Sequence, residues 1–480
     1  MPQQSITHYV SISVALGGTG VQPAGFGVPI FVSDHTVTAN RLDGPYTSLA
    51  GLVDDGFDSE SEEYAWASAV LAQQPRVTSF YVGRRDSGDA TLAASMDAIL
   101  AVNPGAWYAI NLASRTDADI AAIAAWVETQ RKIAVVQSDA ASLIDGTGAR
   151  YSATFGGTPA DGTYRLTFTG FGLGSPVNVD VVRSAGSPAT NANLGTALRA
   201  ALLSAADGGS LDGVVDVDSL GGTSATATFQ IVGGLAAAGT VSVTDPESPN
   251  GLVVTVTDNA IGELLQRNGY TRCALFYHSD DADYADGALT SRCLAFDLDT
   301  QKGAWSYKRL IGVEGDALSD TEVANLRNVN ANYYASAVMS SGVAVQAFTA
   351  QGWMPAGDAG AGRRIDVTTS LDWLHARLEE AVANVLLRET HEIPYTDAGI
   401  NRFAAAIRGV FATGLKAGHL VEFTVPEGEE NEGIVTPYLD LPRLSSTTTT
   451  QRQNRTMSAS GLVYLRSAIE RVVFALSVSE

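Results

Sequence analysis

The residues of this chain that could do chemistry come in small sets, and each set lacks a member. Asp281, Asp283 and Asp286 with Gly287 begin like a calcium loop, which needs oxygen ligands at alternating positions and a bidentate glutamate to close it. Ala285 falls on a ligand position and Arg292 stands where the glutamate belongs, so a solvated turn capping the next helix fits better. His391-Glu392 starts like a zinc-protease helix, but Pro394 breaks the helix and Tyr395 occupies the second histidine position. Gly18-Thr19-Gly20 with Gly25 is a fragment of a phosphate-binding loop without its strand and helix. GVFATGLK (409–416) has Walker spacing with Leu415 in place of the lysine. His278 is the best single site candidate, because it ends an apolar strand and ligands of open α/β sheets bind beyond the strand carboxyl ends. A structural role for His278 stays open beside that. His8, His35, His375 and His419 are scattered, no G-x-S-x-G occurs, and Trp353 and Trp373 read as core or interface anchors. The expectation is no catalytic residue, no cofactor and no metal.

The elements around these residues are clearer than the chemistry. VTSFYVG (77–83), AWYAINLA (106–113) and KIAVVQSD (132–139) are short apolar runs separated by the amphipathic segments TLAASMDAILAV and DADIAAIAAWVETQ. Strands that are apolar throughout and alternate with helices predict a mostly parallel sheet covered on both faces. The series breaks at residue 140 and resumes with TRCALFYH (271–278), a helix near Tyr284–Phe296 and a strand pair near Ala331–Phe348. Residues 140–261 change character: TYRLTFTG, PVNVDVV, ATATFQIV, GTVSV and LVVTVTD alternate as half-buried strands around one helix, NLGTALRAALLSA, without a strict repeat. A shift of composition inside a βα series predicts an inserted β-rich domain.

The chain's 480 residues are 45% apolar and 17% charged, enough for several cores. A formal charge of −22 opposes direct binding to nucleic acid, whose affinity rests on Lys and Arg neutralising phosphates. Cys273 and Cys293 make no metal spacing and read as small buried hydrophobes. No signal peptide or run of about 18 apolar residues appears, so neither classical secretion nor membrane insertion is expected.

From Arg363 to Ile400 the sequence reads RRIDVTTSLDWLHARLEEAVANVLLRETHEIPYTDAGI. Leu371, Leu374, Leu378, Val382 and Val385 recur at helical steps, Pro394 sets a turn, and Thr396 or Asp397 caps a second helix with Ile400, Phe403, Ala404, Ile407 and Phe411 on one stripe. This stretch resembles the corresponding part of contractile tail sheath proteins of myovirus-like bacteriophages, where an R-R/I-D-V…DW-L helix precedes an I-P-Y-T-D-x-G-I turn. The match extends more loosely over the chain outside its middle.

The resemblance implies a subunit that polymerises as a helical cylinder around a tail tube and contracts to drive the tube through a host envelope during genome delivery. The fold class expected is α/β and α+β multidomain. It comprises an N-terminal arm (1–27), a discontinuous α/β body (28–139 and 262–362), an outer β-rich insert (140–261) and a C-terminal domain (363–480) ending in a linking strand. Val10, Ile12 and Val14 at one end, and Val472, Phe474, Leu476 and Val478 at the other, make apolar strand faces that need a sheet. They are the inter-subunit arm candidates, with completion of the chain's own sheets left open. Arg377 and Arg388 are the tube-facing candidates, and GGTGVQPAGFG and residues 427–460 the flexible tethers. Glu422, Glu427, Glu429, Glu430, Glu432 and Asp440, followed by Arg443, Arg452, Arg455, Arg466 and Arg471, read either as a solvated loop or as complementary charge between copies. The expected partners are the chain itself, a tube protein and baseplate and terminator proteins, with assembly in a bacterial cytoplasm and final residence in the virion. Two other readings remain: an α/β enzyme with a ligand site near His278, and a surface or adhesin-type protein.

Overall fold

The computed structural model describes residues 26–145, 150–216, 225–231, 239–246, 251–258, 261–338, 344–355, 362–388, 392–428 and 430–467. The arm candidates Val10, Ile12, Val14, Val472, Phe474, Leu476 and Val478 lie outside these residues, as do Gly18–Gly25 and His391.

The described residues begin with β1 (Pro29–Ser33), β2 (Leu42–Tyr46), α1 (Leu49–Asp54), α2 (Glu62–Ala72), β3 (Phe80–Arg84) and α3 (Leu92–Val102). It continues with β4 (Ala109–Leu112), α4 (Asp117–Glu128), β5 (Ile133–Ser138) and the short α5 (Ser142–Asp145). Ser61, Thr91 and Thr116 start α2, α3 and α4, each hydroxyl accepting a backbone N–H that the first helical turn leaves without a partner. A second group of strands follows: β6 (Arg150–Phe155), β7 (Gly162–Gly170), β8 (Val177–Arg183), α6 (Asn191–Ala206), β9 (Val215–Asp216), β10 (Thr226–Ile231), β11 (Gly239–Thr244) and β12 (Leu252–Asp258). The first pattern then returns with α7 (Ile261–Arg267), β13 (Cys273–Tyr277), α8 (Ala285–Leu294), α9 (Asp320–Asn328), β14 (Asn332–Val338) and β15 (Ala344–Ala350).

One eight-stranded sheet, ordered β15-β14-β13-β5-β4-β1-β3-β2, takes strands from both sides of residues 150–258. Its inner strands run parallel, while β2 and β15 close the edges antiparallel. Successive side chains serve opposite faces: Ile30 and Val32 pack with α3, α4, α7 and α9, and Phe31 packs with α2 and α8. α2 and α8 cross so closely that a Cβ on Gly287 would lie 2.4 Å from the indole nitrogen of the buried Trp66.

Between α5 and α7, β12-β6-β10-β9 and β11-β7-β8 form two antiparallel sheets. With α6 they enclose a separate core of Tyr151, Tyr164, Phe168, Phe229, Leu194 and Leu198. The first and last strands of this unit, β6 and β12, pair with each other, so its two ends lie side by side. Replacing residues 146–260 by a short Gly-Ser linker is therefore expected to leave the eight-stranded sheet intact. A thermal melt should place the shortened chain within about 4 °C of the full one, the shift that about 1 kcal/mol produces in a domain of this size; loss of cooperative melting would show that the sheet needs the insert.

After a strand pair at Trp353–Met354 and Arg363–Arg364, α10 (Ile365–Arg388) and α11 (Asp397–Ala417) form the predicted helix pair. Thr396 caps α11 through Gly399 N–H, and Gly418 ends it at φ 84°, a left-handed conformation that suits glycine. Leu374, Leu378 and Ala381 pack on Ile407, Val410 and Phe411. Short strand pairs follow: Leu420–Val421 with Tyr464–Leu465, Phe423–Thr424 with Val435–Thr436, and Tyr438–Asp440 with Ser460–Leu462. The expectation of a flexible tether at 427–460 is corrected, because these strands, a 3-10 turn at Leu444–Ser446 and a helix at Thr449–Gln453 organise the segment. Leu444 N–H donates to Asp397 at 2.7 Å and the Tyr395 hydroxyl to Thr456 O at 2.9 Å, tying it to the start of α11. No helix among the described residues is long and apolar enough to cross a membrane.

Candidate functional site

The carboxyl end of β13, where an α/β sheet could hold a ligand, is occupied by the chain's own side chains. His278 is buried at the end of β13, with Nδ1 2.9 Å from Asp316 and Nε2 3.3 Å from Asp283. Burial would lower its pKa, but hydrogen bonding to Asp316, then to Asp283, raises it above the ordinary value. Asp316 also accepts from Ser279 N–H and hydroxyl. His278 therefore pins the loop at 314–316 to the strand end. Asp283 is drawn into this clamp, and Asp286 is buried against Asn111 and the Gly287 N–H. Among the described residues no group of three or more His, Cys, Asp or Glu could hold a metal ion. A cavity of about 240 Å³ lies elsewhere, at the ends of β1 and β4, lined by Ser33, Asp34, Glu62, Arg85 and Ser114. Arg85 is already bonded to Asp119 at 2.8 Å, and Ser114 to the same carboxylate at 2.5 Å.

The densest buried chemistry lies at the opposite ends of the strands, where α10 crosses the starts of β4, β5 and β13. Arg272, immediately before β13, makes a bidentate pair with Asp372 on α10, both bonds 2.8 Å. The Tyr108 hydroxyl, one residue before β4, donates to the same carboxylate at 2.8 Å. Arg272 and Asp372 are 7% and 2% exposed, which makes this an ion pair deprived of water. Burial works against the Arg272 cation, but the Asp372 charge outweighs it and raises the pKa. Lys132, just before β5, lies 3.7 Å over the Trp107 ring and donates to Pro104 O and Trp107 O. Burial pushes its pKa down to about 7.

Further along the same face of α10, among the described residues, Nδ1 of buried His375 and both carboxylate oxygens of buried Glu379 have no hydrogen-bond partner. Burial pushes the Glu379 carboxyl up to about 7, with Arg131 acting the other way. Because this lies above the ordinary carboxyl range, near 4.3, the folded chain holds the proton more tightly than the unfolded one. Stability should thus fall as pH rises from that range to about 7. Glu379→Gln is expected to flatten this part of the melting-temperature profile between about pH 5 and about pH 8; an unchanged slope would assign it to other groups.

A second seam joins α10 to the turn after α8. Asp299 accepts from Trp373 Nε1 and from Arg377 Nε and Nη2, each at 2.7 Å. Trp373 is fully buried and stacks on His419 at 4.5 Å, while His419 Nε2 donates to Leu298 O at 2.7 Å. Lys302 closes the seam through Asp366 at 2.7 Å. The Arg377 guanidinium, expected on a tube-facing surface, is thus engaged inside the subunit; the side chain of Arg388 lies outside the described residues. Trp353 carries the Arg364 guanidinium 4.2 Å above its ring. Sequence reasoning missed the Arg272–Asp372–Tyr108 cluster, although a signal was present: Asp372 lies within an otherwise apolar LDWL, and Arg272 directly abuts an apolar strand.

Similar solved structures include the anti-feeding prophage (AFP) helical sheath in its contracted state, 13% identical over 98% of both chains with a TM-score of 0.49. The six-fold symmetrised AFP baseplate gives 13% identity over 100% of both chains and a TM-score of 0.46. No curated protein matches the chain. Residues 365–472, which hold α10, α11 and the C-terminal strand pairs, match the family described as E217 tail sheath protein gp31-like, C-terminal domain. Over these residues the chain is similar to the C-terminal domain of that tail sheath family.

Proposed function

We propose that the chain is the structural subunit of a contractile sheath, assembling around a tail tube and shortening to drive it through a host envelope. The observation that carries this reading is the family match over residues 365–472, a segment seamed onto the α/β sheet by Arg272–Asp372 and Asp299–Arg377. In this reading the body is formed by 28–139 and 262–362, the insert at 140–261 lies outside, and 363–480 bears the contacts between copies. The edges of the large sheet support strand exchange elsewhere: Pro45 interrupts β2, and Tyr307–Lys308 bond to Thr349 on β15. The two-stranded pairs of the C-terminal part leave backbone for another chain, and Val10, Ile12, Val14, Val472, Phe474, Leu476 and Val478 are the segments proposed to join them in neighbours. The partners would be further copies, a tube protein and baseplate and terminator proteins.

Electron microscopy of residues 1–480 and 28–470 tests this directly. Cylinders are expected from the full chain and not from the shortened one; well-behaved monomers from both would overturn the reading.

For the tube-facing surface, the exposed side of α11 is proposed beside Arg377 and Arg388: Arg402, Arg408 and Lys416 stand along it among Ala405, Gly409 and Ala412. Reversing these three cations to glutamate is expected to reduce co-sedimentation with the tube protein by about tenfold or more. Arg377→Glu is expected to lower melting temperature instead. Equal tube binding by the triple variant would remove this face from the contact.

A further inference from the structure

The C-terminal strand pairs hold two opposite charges apart. The turn between Phe423–Thr424 and Val435–Thr436 presents Glu427, Glu430 and Glu432, with Glu422 at its base, all exposed. The connection between Tyr438–Asp440 and Ser460–Leu462 presents Arg443, Arg452 and Arg455, also exposed. Only Pro437 separates Val435–Thr436 from Tyr438–Asp440, so the acidic turn leaves this segment at its start and the arginine connection at its end.

Backbone hydrogen bonds hold the base of each surface. The acidic turn closes through Val425 N–H to Ile434 O and Gly433 N–H to Val425 O, each 3.0 Å. In the arginine connection, Thr448 and Gln451 form a reciprocal cap, and Leu444 is held by Asp397. Among the described residues, none of these glutamates and arginines forms an ion pair.

We propose that the two surfaces meet between copies, the Glu427–Glu432 turn of one subunit docking on Arg443, Arg452 and Arg455 of the next. Attachment at opposite ends of one segment keeps the charges from neutralising each other within a chain, whereas a second copy brings the complement. The two surfaces differ, so the contact is heterologous. It propagates head to tail, yielding a ring where the rotation closes and a helical array where it does not, rather than a two-fold dimer. An unrelated acidic partner on the arginines would leave the glutamate turn without a role. The inference rests on the sheath reading and names one contact within it.

The test compares wild type, Glu427→Lys/Glu430→Lys/Glu432→Lys, Arg443→Glu/Arg452→Glu/Arg455→Glu, and the chain carrying both sets. Pelleting and electron microscopy read the critical concentration for assembly at low and high salt, and thermal melts verify folding. Each single-surface reversal is expected to raise the critical concentration by about tenfold, and the combined variant to return within about twofold of wild type. Wild-type assembly should weaken with salt, since exposed charges are screened over about 8 Å at physiological ionic strength. If a reversal lowers the melting temperature, glutamine at the same positions reads the same concentration with less disturbance. Cylinders indifferent to either reversal, or a combined variant no better than the single ones, would overturn this contact and leave the sheath reading standing. Wild-type chains that stay monomeric at every concentration and salt would overturn the sheath reading, and the contact with it.

Discussion

Arg272→Met is expected to destabilise the chain by about 3–5 kcal/mol, because it leaves the Asp372 carboxylate buried beside Tyr108 without its cation. The loss comes chiefly from the stranded charge and less from the missing attraction. Arg272→Met combined with Asp372→Leu should therefore recover most of it, since an apolar pair of similar volume is often neutral relative to a buried ion pair. Chemical denaturation of the single and double variants measures both terms. A single variant within about 1 kcal/mol of wild type would show that water reaches the pair and screens it. Under the proposed function, the single variant should fail to assemble because α10 no longer sits at one angle to the sheet, and the double variant should form cylinders less regular than those expected of wild type.

Trp373→Ala is the second large effect, expected at about 3–5 kcal/mol for a fully buried tryptophan. Three contacts vanish together: the stack on His419, the bond to Asp299, and the packing with Leu420 and Phe411. The damage should be local. Hydrogen exchange is expected to rise in α11 and in Leu420–Val421, while amides of β4 and β5 keep their protection, because the large sheet has its own cores. Trp373→Phe keeps most of the packing and loses only the bond to Asp299, so about 1 kcal/mol is expected. Uniform loss of protection across β4 and β5 in the alanine variant would show that both regions unfold as one unit.

Much of this architecture was legible in the sequence. Cys273–Tyr277 within TRCALFYH and residues 133–136 within KIAVVQSD are apolar at every position, the pattern of strands covered on both faces. The helix pair was legible for a different reason: Thr396 and the apolar stripes set its caps and faces locally. The site was not. Arg377 looks like a surface cation until Asp299, distant in sequence, is brought against it by the fold. His278 looked like a ligand-site residue because strand ends attract ligands, and nothing local announces that Asp316 fills that role. The pairing of Arg272 with Asp372 spans 100 positions, which no periodicity reports.

The place where α10 meets the sheet also sets how the subunit bears force. Arg272, Lys132 and Tyr108 stand at the starts of β13, β5 and β4, so a pull delivered through the C-terminal helices enters the sheet along its strands. Ladder hydrogen bonds are then loaded in shear and many must break together, whereas a pull at an edge strand would peel them one after another. In the proposed cylinder, tension between copies would reach the strongest direction of each subunit first. Such a subunit can transmit work with little deformation of its own.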